Sequence, residues 1–306
     1  MRVIVAYDAS DEADQALALV TRVPWPKGSE IDVLTVVEPT VTRMPSAPVP
    51  TFVDSRLDEL IASQLEESTN RAAERLRDSG LSAEATLAWG RPATVLTDAV
   101  LATQADLVVV GSRGRGAIAS LVLGSVSAEL VDHAACPVLV ARGSDMKRVL
   151  VATDGSSTAA LALQVIGQWP IFNQSEARVL SVADVPRPLT LDVAPESQMA
   201  LDAWSHDLAE TERQHREIAA RAAEQLSAAG RKGEPTVRTG DAAAEIIEEA
   251  RSWKADLIVV GSRGQTGLQR LLLGSVARNV LLGADASVLV VRQGSLDNEP
   301  RHGRHC

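Results

Sequence analysis

The sequence has few of the residues on which several classes of protein depend. Only two of its 306 residues are cysteines, Cys136 and Cys306, which excludes a disulfide scaffold and a four-cysteine zinc site. Aromatic residues make up 3%, so stacking platforms for single-stranded nucleic acid are not expected. The 30 basic residues are outnumbered by 40 acidic ones, and the net charge of -10 argues against a broad nucleic-acid-binding surface.

Long apolar segments are also missing. No run approaches the roughly 18 residues that span a bilayer. The apolar stretch near the N-terminus stops at Asp8, so it is too short for a signal peptide. We therefore expect a cytoplasmic chain that binds neither membrane nor nucleic acid. At roughly 150 residues per domain, the length predicts two domains.

The two halves of the chain repeat one another. The segment 105–114, ADLVVVGSRG, recurs at 255–264 as ADLIVVGSRG. The segment 121–126, LVLGSV, recurs at 271–276 as LLLGSV. A period of about 150 residues is too long for a solenoid repeat, and it indicates two copies of one domain.

Each copy alternates β-rich runs with helical patterns. This order predicts a parallel sheet with helices on both faces. Continuous runs of valine, leucine and isoleucine, such as Leu107–Val110, indicate strands that are buried on both sides. Five strands per copy predict a doubly wound domain, flavodoxin-like or related, with right-handed crossovers. We predict these domains over residues 1–143 and 147–293, followed by a disordered tail over residues 294–306.

The loop after the fourth strand carries the most informative motif. Gly111 and Gly114 are followed by Gly124 and Ser125, and the second copy repeats this G-x2-G-x9-G-S spacing. Doubly wound sheets bind ligands at the carboxyl ends of their strands, where the strand order reverses. Glycines there let backbone amides approach a ligand, and the next helix offers its free N–H groups to phosphate. The motif therefore predicts a phosphate cradle, with a tight structural loop as the alternative.

This repeated motif resembles that of the universal stress protein family, in its ATP-binding branch. An aspartate at the end of the first strand fits the family in each copy, as Asp8 and Asp154. The resemblance covers nearly the whole chain as two tandem domains. It implies five-stranded parallel sheets of the adenine nucleotide alpha hydrolase-like type, with strand order 3-2-1-4-5 and flanking helices. It also implies one ATP site in each copy.

The residues implied for the two sites occupy matching positions. In the first copy they are Ala6, Tyr7, Asp8, Val36, Val110, Gly111, Arg113, Gly114, Gly124, Ser125, Val126 and Ser127. In the second copy they are Ala152, Thr153, Asp154, Val182, Val260, Gly261, Arg263, Gly264, Gly274, Ser275, Val276 and Ala277. Mg²⁺ bound through the phosphates is a further expectation, with Asp8 and Asp154 as the candidate carboxylates.

Several positions depart from the family's pattern. Ala9 stands where the second copy has glycine, which we expect to tighten the turn. Ala277 replaces a hydroxyl residue, so we expect a weaker second site through loss of a phosphate donor. Arg113 and Arg263 stand where the family often has histidine. Each arginine is either a phosphate ligand or a solvated loop residue.

The resemblance implies a nucleotide-dependent regulator of stress response or growth. No pair of carboxylates is placed as general acid and base, so we predict no catalytic residues and at most slow ATP hydrolysis. Two alternatives stay open: a slow ATPase, and an interaction scaffold that binds no nucleotide.

The remaining expectations concern partners and individual side chains. The resemblance implies that the last strands, Val138–Arg142 and Val288–Arg292, pair antiparallel within the chain. A homodimer and an unidentified protein partner are further expectations. We expect His206 and His215, on a long helix, to be solvated and Cys136 to be buried.

Overall fold

The computed structural model describes residues 1–39, 41–42, 51–52, 55–114, 123–185, 198–262, 264 and 273–292. The expected disordered tail and Arg263 lie outside these residues. The chain divides into two compact units, Met1–Asp145 and Met146–Cys306.

The first unit alternates strands and helices as the sequence predicts. Its elements are β1 (Arg2–Ala6), α1 (Asp11–Arg22), β2 (Glu30–Val37), β3 (Val41–Thr42), β4 (Thr51–Phe52), α2 (Ser55–Asp78), β5 (Ser82–Trp89), α3 (Pro92–Thr103), β6 (Leu107–Gly111), α4 (Ser125–His133) and β7 (Val138–Ala141). Five strands form a parallel sheet in the order β5-β2-β1-β6-β7. The short strands β3 and β4 pair antiparallel as a separate ribbon.

The second unit repeats this architecture. Its elements are β8 (Arg148–Ala152), α5 (Ser157–Gln168), a 3₁₀ turn (Pro170–Phe172), β9 (Glu176–Ala183), α6 (Gln198–Ala228), β10 (Gly233–Thr239), α7 (Ala242–Trp253), β11 (Leu257–Gly261), α8 (Ser275–Gly283) and β12 (Ser287–Val291). The strands are parallel in the order β10-β9-β8-β11-β12. Numbered within each unit, both sheets have the order 3-2-1-4-5, so the predicted fold class is confirmed.

The central strands form the core because nearly every residue along them is apolar. Val5 is in register with Val33 of β2 and with Val109 of β6, and all three are fully buried. Helices cover both faces of such a strand, so the side chains on both faces are removed from water. Full burial of one such side chain contributes about 1.5–3 kcal/mol. The result is a rigid sheet whose carboxyl ends hold the loops described below.

No helix in the described part of the chain is both long and apolar enough for a membrane span. Cys136 is buried, as expected, and burial raises the pKa of its thiol to about 12. The antiparallel pairing of the two last strands would join the units and stays a prediction.

The turn after the first strand has the same backbone in both units although its residue differs. Ala9 has a φ of 59° and Gly155 a φ of 78°. Both lie in the left-handed region, which costs a residue with a Cβ roughly 1–2 kcal/mol. The departure at Ala9 therefore leaves the turn's conformation in place and adds backbone strain to it.

Exchanging these residues should change stability in opposite directions. Ala9→Gly should raise the free energy of unfolding by about 1 kcal/mol, because glycine adopts a positive φ without strain. Gly155→Ala should lower it by a similar amount. A Cβ at residue 155 would meet Ile218 at 3.6 Å, an ordinary contact, so backbone strain is the term being tested. Urea-induced unfolding measures both changes, and a lower midpoint for Ala9→Gly would contradict this account.

Candidate functional site

A cavity of about 400 Å³ lies at the carboxyl ends of β1, β2 and β6. All twelve residues that the resemblance implied for the first copy line it: Ala6, Tyr7, Asp8, Val36, Val110, Gly111, Arg113, Gly114, Gly124, Ser125, Val126 and Ser127. Sequence reasoning missed seven other lining residues: Ala13, Leu34, Thr35, Glu38, Leu65, Pro92 and Leu96. Leu65 belongs to the periodic apolar pattern of α2, which indicates a core position as readily as a cavity wall.

Two glycines of the loop after β6 stand where a side chain has no room. A Cβ on Gly111 would lie 2.8 Å from the backbone carbonyl carbon of Glu12, at the start of α1. A Cβ on Gly114 would lie 2.5 Å from Oδ2 of Asp8. Both distances are shorter than any ordinary carbon contact. Glycine therefore lets the loop backbone pass directly over the end of β1 and the first turn of α1.

The Asp8 carboxylate is held at this crossing. The backbone N–H and the hydroxyl of Ser10 both donate to its Oδ1, at 3.1 and 2.5 Å. Ser10 also caps α1, because its hydroxyl oxygen accepts from the N–H of Ala13 at 3.2 Å. One oxygen of Asp8 is thus bonded within the turn, and the other faces Gly114.

The cavity also contains the N-terminus of α4. The helix begins at Ser125 with Gly124 as its N-cap, and the cap makes no side-chain hydrogen bond. The N–H of Gly124 donates to the carbonyl of Ser112 at 2.8 Å, which joins the two ends of the loop. The first N–H groups of a helix have no intrahelical partner, and the helix dipole favours an anion there. This end of the cavity suits a phosphate group.

The hydroxyl of Ser127 is used within the protein. It donates to the carbonyl oxygen of Gly111 at 2.8 Å, and the residue is 2% exposed. The sequence prediction treated this hydroxyl as a phosphate donor. The observed bond instead connects α4 to the end of β6, so Ala277 in the second unit lacks this connection between helix and strand.

Arg113 is an exposed residue whose guanidinium is paired with a carboxylate, and its role as a phosphate ligand stays a prediction. Its Nε lies 3.0 Å from Oε1 of Glu12, and the two side chains are 42% and 21% exposed. Arg113 lines the cavity, and its guanidinium is already paired with a carboxylate. Sequence reasoning missed Glu12 because nothing in the local pattern shows that α1 meets this loop.

Tyr7 is fixed by two residues that the sequence did not indicate. Its hydroxyl donates to Oδ1 of Asp14 at 3.2 Å, and Arg75 donates to the same oxygen at 2.7 Å. Tyr7 is 8% exposed. Burial raises the pKa of its phenol, and Asp14 adds to the shift. Arg75 is far from Tyr7 and Asp14 in sequence, so only the packing of α2 brings the three side chains together.

The residues implied for the second unit occupy the same ends of its strands. A Cβ on Gly261 would lie 2.8 Å from the backbone carbonyl carbon of Thr158, and one on Gly264 would lie 2.8 Å from Oδ2 of Asp154. The rest lie at the carboxyl ends of β8, β9 and β11 or in the first turn of α8: Ala152, Thr153, Val182, Val260, Gly274, Ser275, Val276 and Ala277. Arg263 lies outside the described residues.

His215 is partly buried beside Ser181 of β9, so the prediction that it is solvated is wrong. Its Nδ1 lies 2.8 Å from Oγ of Ser181, whose hydroxyl donates to the carbonyl of Thr153 at 2.8 Å. Since the Ser181 proton is used there, Nδ1 of His215 carries the hydrogen of the shared bond. Burial lowers the pKa of His215, and the charge of Asp154 opposes that shift. His206 is exposed, as expected.

The fold and the loops define the class of this protein: a tandem α/β protein with a glycine loop at the same switch point in each unit. The family model described as the universal stress protein family matches residues 1–142 and again residues 146–292. The chain therefore belongs to the universal stress protein family, as the resemblance indicated.

Individual relatives are tandem proteins of similar length. A universal stress protein of Mycolicibacterium smegmatis is 29% identical over 308 residues, covering 95% of this chain and 96% of the relative. A universal stress protein of Mycobacterium tuberculosis is 29% identical over 314 residues, covering 95% and 97%. A crystal structure of a universal stress protein from Archaeoglobus fulgidus matches with a TM-score of 0.67 at 20% identity, covering 95% of this chain and 98% of that one. The structural match concerns the fold.

The bond from Ser127 to Gly111 should contribute measurably to stability. Ser127→Ala should lower the free energy of unfolding by about 1–2 kcal/mol, because a buried carbonyl loses its donor. Ser125→Ala, two residues earlier at an exposed position, should change it by less than about 0.5 kcal/mol. Urea-induced unfolding of both variants measures the difference. Equal effects of the two substitutions would show that the hydroxyl does not hold the helix to the strand.

Proposed function

We propose that each unit binds an adenine nucleotide, ATP in particular, at the carboxyl ends of its strands. We propose further that occupancy makes the protein a nucleotide-dependent regulator of stress response or growth. The observation that carries the proposal is the convergence of all twelve residues of the first site on one cavity. The motif, the aspartate and the end of β2 are far apart in sequence, and they meet where a doubly wound sheet binds ligands.

The phosphate end of the cavity supplies positive potential without a surplus of basic side chains. Backbone N–H groups at the start of α4 face the cavity beside Gly124 and Ser125. Backbone amides and a helix N-terminus attract anions through fixed partial charges. The protein's net charge of -10 therefore does not oppose a polyanionic ligand at this point.

The other end of the cavity suits a nucleoside. Val36, Leu65 and Val110 supply apolar walls against which a base can pack. The Asp8 carboxylate is an acceptor with one oxygen held in the turn, which suits the hydroxyl donors of a ribose. A volume of about 400 Å³ lies within the ordinary range for small-molecule sites.

A magnesium ion would fit at the phosphate end of the site, where Asp8 faces Gly114. Oδ2 of Asp8 faces the close approach at Gly114, where a side chain would fill the space. Mg²⁺ commonly binds through one or two carboxylates together with substrate phosphates. Asp8 would hold the ion in the first unit and Asp154 in the second. When bound, the ion would neutralise phosphate charge.

The regulatory part of the proposal rests on how the cradle is divided along the chain. Its two halves, at Gly114 and at Gly124–Ser125, are separated by nine residues of the sequence. The hydrogen bond from Gly124 to Ser112 already joins the two halves, so a bound phosphate chain would change the charge that the cradle presents. We propose that a protein partner reads this difference between the occupied and the empty site.

A glutamate in the cradle should block binding through bulk and like charge. We expect Gly114→Glu to remove the first site, so that calorimetry with ATP gives one site per chain instead of two. We expect the double variant Gly114→Glu, Gly264→Glu to bind no ATP. The matched control is Gly143→Glu, where a Cβ meets nothing within 4 Å and which does not line the cavity, and it should bind as the wild type does.

The same preparations separate the proposal from its alternatives. Unchanged ATP affinity in the double variant would defeat the site assignment. Absence of ATP binding by the wild type, with no adenine nucleotide released when the purified protein is denatured, would favour an interaction scaffold. Sustained release of phosphate over many turnovers, lost in the double variant, would favour an ATPase.

A further inference from the structure

The ion pair between Glu12 and Arg113 places a carboxylate beside the phosphate end of the first site. Arg113 lines the cavity next to Gly114, and a Cβ on Gly124 would lie 3.3 Å from the Cα of Arg113. The backbone of Arg113 therefore lies against the residue that caps α4. Its Nε is held by Glu12 at 3.0 Å. A phosphate that approaches this cation meets a charge that Glu12 already partly neutralises.

The position of Glu12 follows from the tight packing of α1 under the loop. A Cβ on Gly111 would lie 2.8 Å from the Glu12 carbonyl carbon and 3.0 Å from its Cβ. The first turn of α1 therefore touches the loop, and the glutamate side chain starts there. At 21% exposure, this side chain is partly shielded from water. Solvent screens a charge pair less in such a position than on an open surface.

The second unit has a neutral residue at the same place. A Cβ on Gly261 would lie 2.8 Å from the carbonyl carbon of Thr158, which therefore occupies the position of Glu12 under its own loop. Thr158 is buried and carries no charge. At the position that contacts the loop, the first unit therefore has a negative charge and the second has none.

We propose that Glu12 is a specificity-determining residue that reduces the first site's preference for long phosphate chains. This inference rests on the proposed function. Glu12 already neutralises part of the Arg113 charge, so an added phosphate gains little from the guanidinium. The first site should therefore bind a nucleoside monophosphate nearly as well as a triphosphate. In the second unit the residue at this position is the neutral Thr158, so affinity there should rise more steeply with phosphate number.

The test measures the ratio of the dissociation constants for AMP and ATP at the first site. All variants carry Gly264→Glu, which silences the second site, and calorimetry is run in EDTA so that no divalent ion bridges the phosphates. Glu12→Thr, which copies the second unit, should raise the ratio about tenfold, the worth of roughly one charge-assisted hydrogen bond. Glu12→Gln, which keeps the size of the side chain, should raise it in the same direction.

A second pair of variants tests whether Glu12 acts through Arg113. In an Arg113→Met background, Glu12→Thr should change the ratio by less than about threefold, because the guanidinium whose charge Glu12 neutralises is gone. A full tenfold change in that background would mean direct repulsion by Glu12 and would overturn the proposal. The converse variant, Thr158→Glu with Gly114→Glu, should lower the ratio at the second site.

The outcomes distinguish this inference from the proposed function. If the Gly264→Glu protein binds ATP, loses it on addition of Gly114→Glu, and keeps its ratio within twofold in Glu12→Thr and Glu12→Gln, the inference alone is wrong. If it binds neither nucleotide, the proposed function fails at this site. Glu12 is also one of three acids in the first turn of α1, so its replacement can lower stability. Thermal unfolding checks that each variant is folded at the titration temperature, and the isosteric Glu12→Gln decides if Glu12→Thr is not.

Discussion

The contact on which both sites depend is the one between the first turn of a helix and the loop after the fourth strand. At Gly111 and at Gly261 a Cβ would lie 2.8 Å from a backbone carbonyl carbon of that helix. Any side chain there would push helix and loop apart, and with them the aspartate that ends the first strand. The glycines therefore hold Asp8 and Asp154 beside the loop, as well as leaving backbone amides uncovered. This constraint explains why each unit has glycine at these positions although the surrounding side chains differ.

Much of this arrangement could be predicted from the sequence, because it depends on the backbone. The repeat, the buried valine-rich strands and the G-x2-G-x9-G-S spacing are local patterns with known geometric consequences. The resemblance to the universal stress protein family added the strand order 3-2-1-4-5, which brings the ends of β1, β2 and β6 together, and it assigned Val36 and Ser125 to one site. The left-handed backbone at Ala9 was not predicted: the expectation was a tighter turn, whereas Asp-Ala-Ser has the same left-handed backbone as Asp-Gly-Ser.

The side-chain partners could not be predicted, because they depend on which faces of the helices meet. Glu12 is one of several acids in the first turn of α1. The favourable interaction of acids with the helix dipole already accounts for a glutamate there, so nothing marked it as a partner of the loop. Arg75 binds Asp14 across 61 positions, and no local pattern encodes that distance. His215 was expected in water because its helix is long and polar. The missed signal was its place opposite Ser181, where the first unit has a threonine pair, Thr69 and Thr35, bonded at 2.7 Å.

The two units therefore agree in the backbone of their sites and differ in the charges around it. Glycine loop, helix start and aspartate recur, whereas the first unit has Tyr7, Glu12 and Thr69 where the second has Thr153, Thr158 and His215. In the proposed function, backbone amides fixed by the fold supply the phosphate site in both units. The residues that differ between the units change the charge, the protonation and the polarity of the surroundings of that site. A duplicated site of this kind can thus diverge in ligand preference without loss of fold, since each changed residue leaves the contact between helix and loop intact.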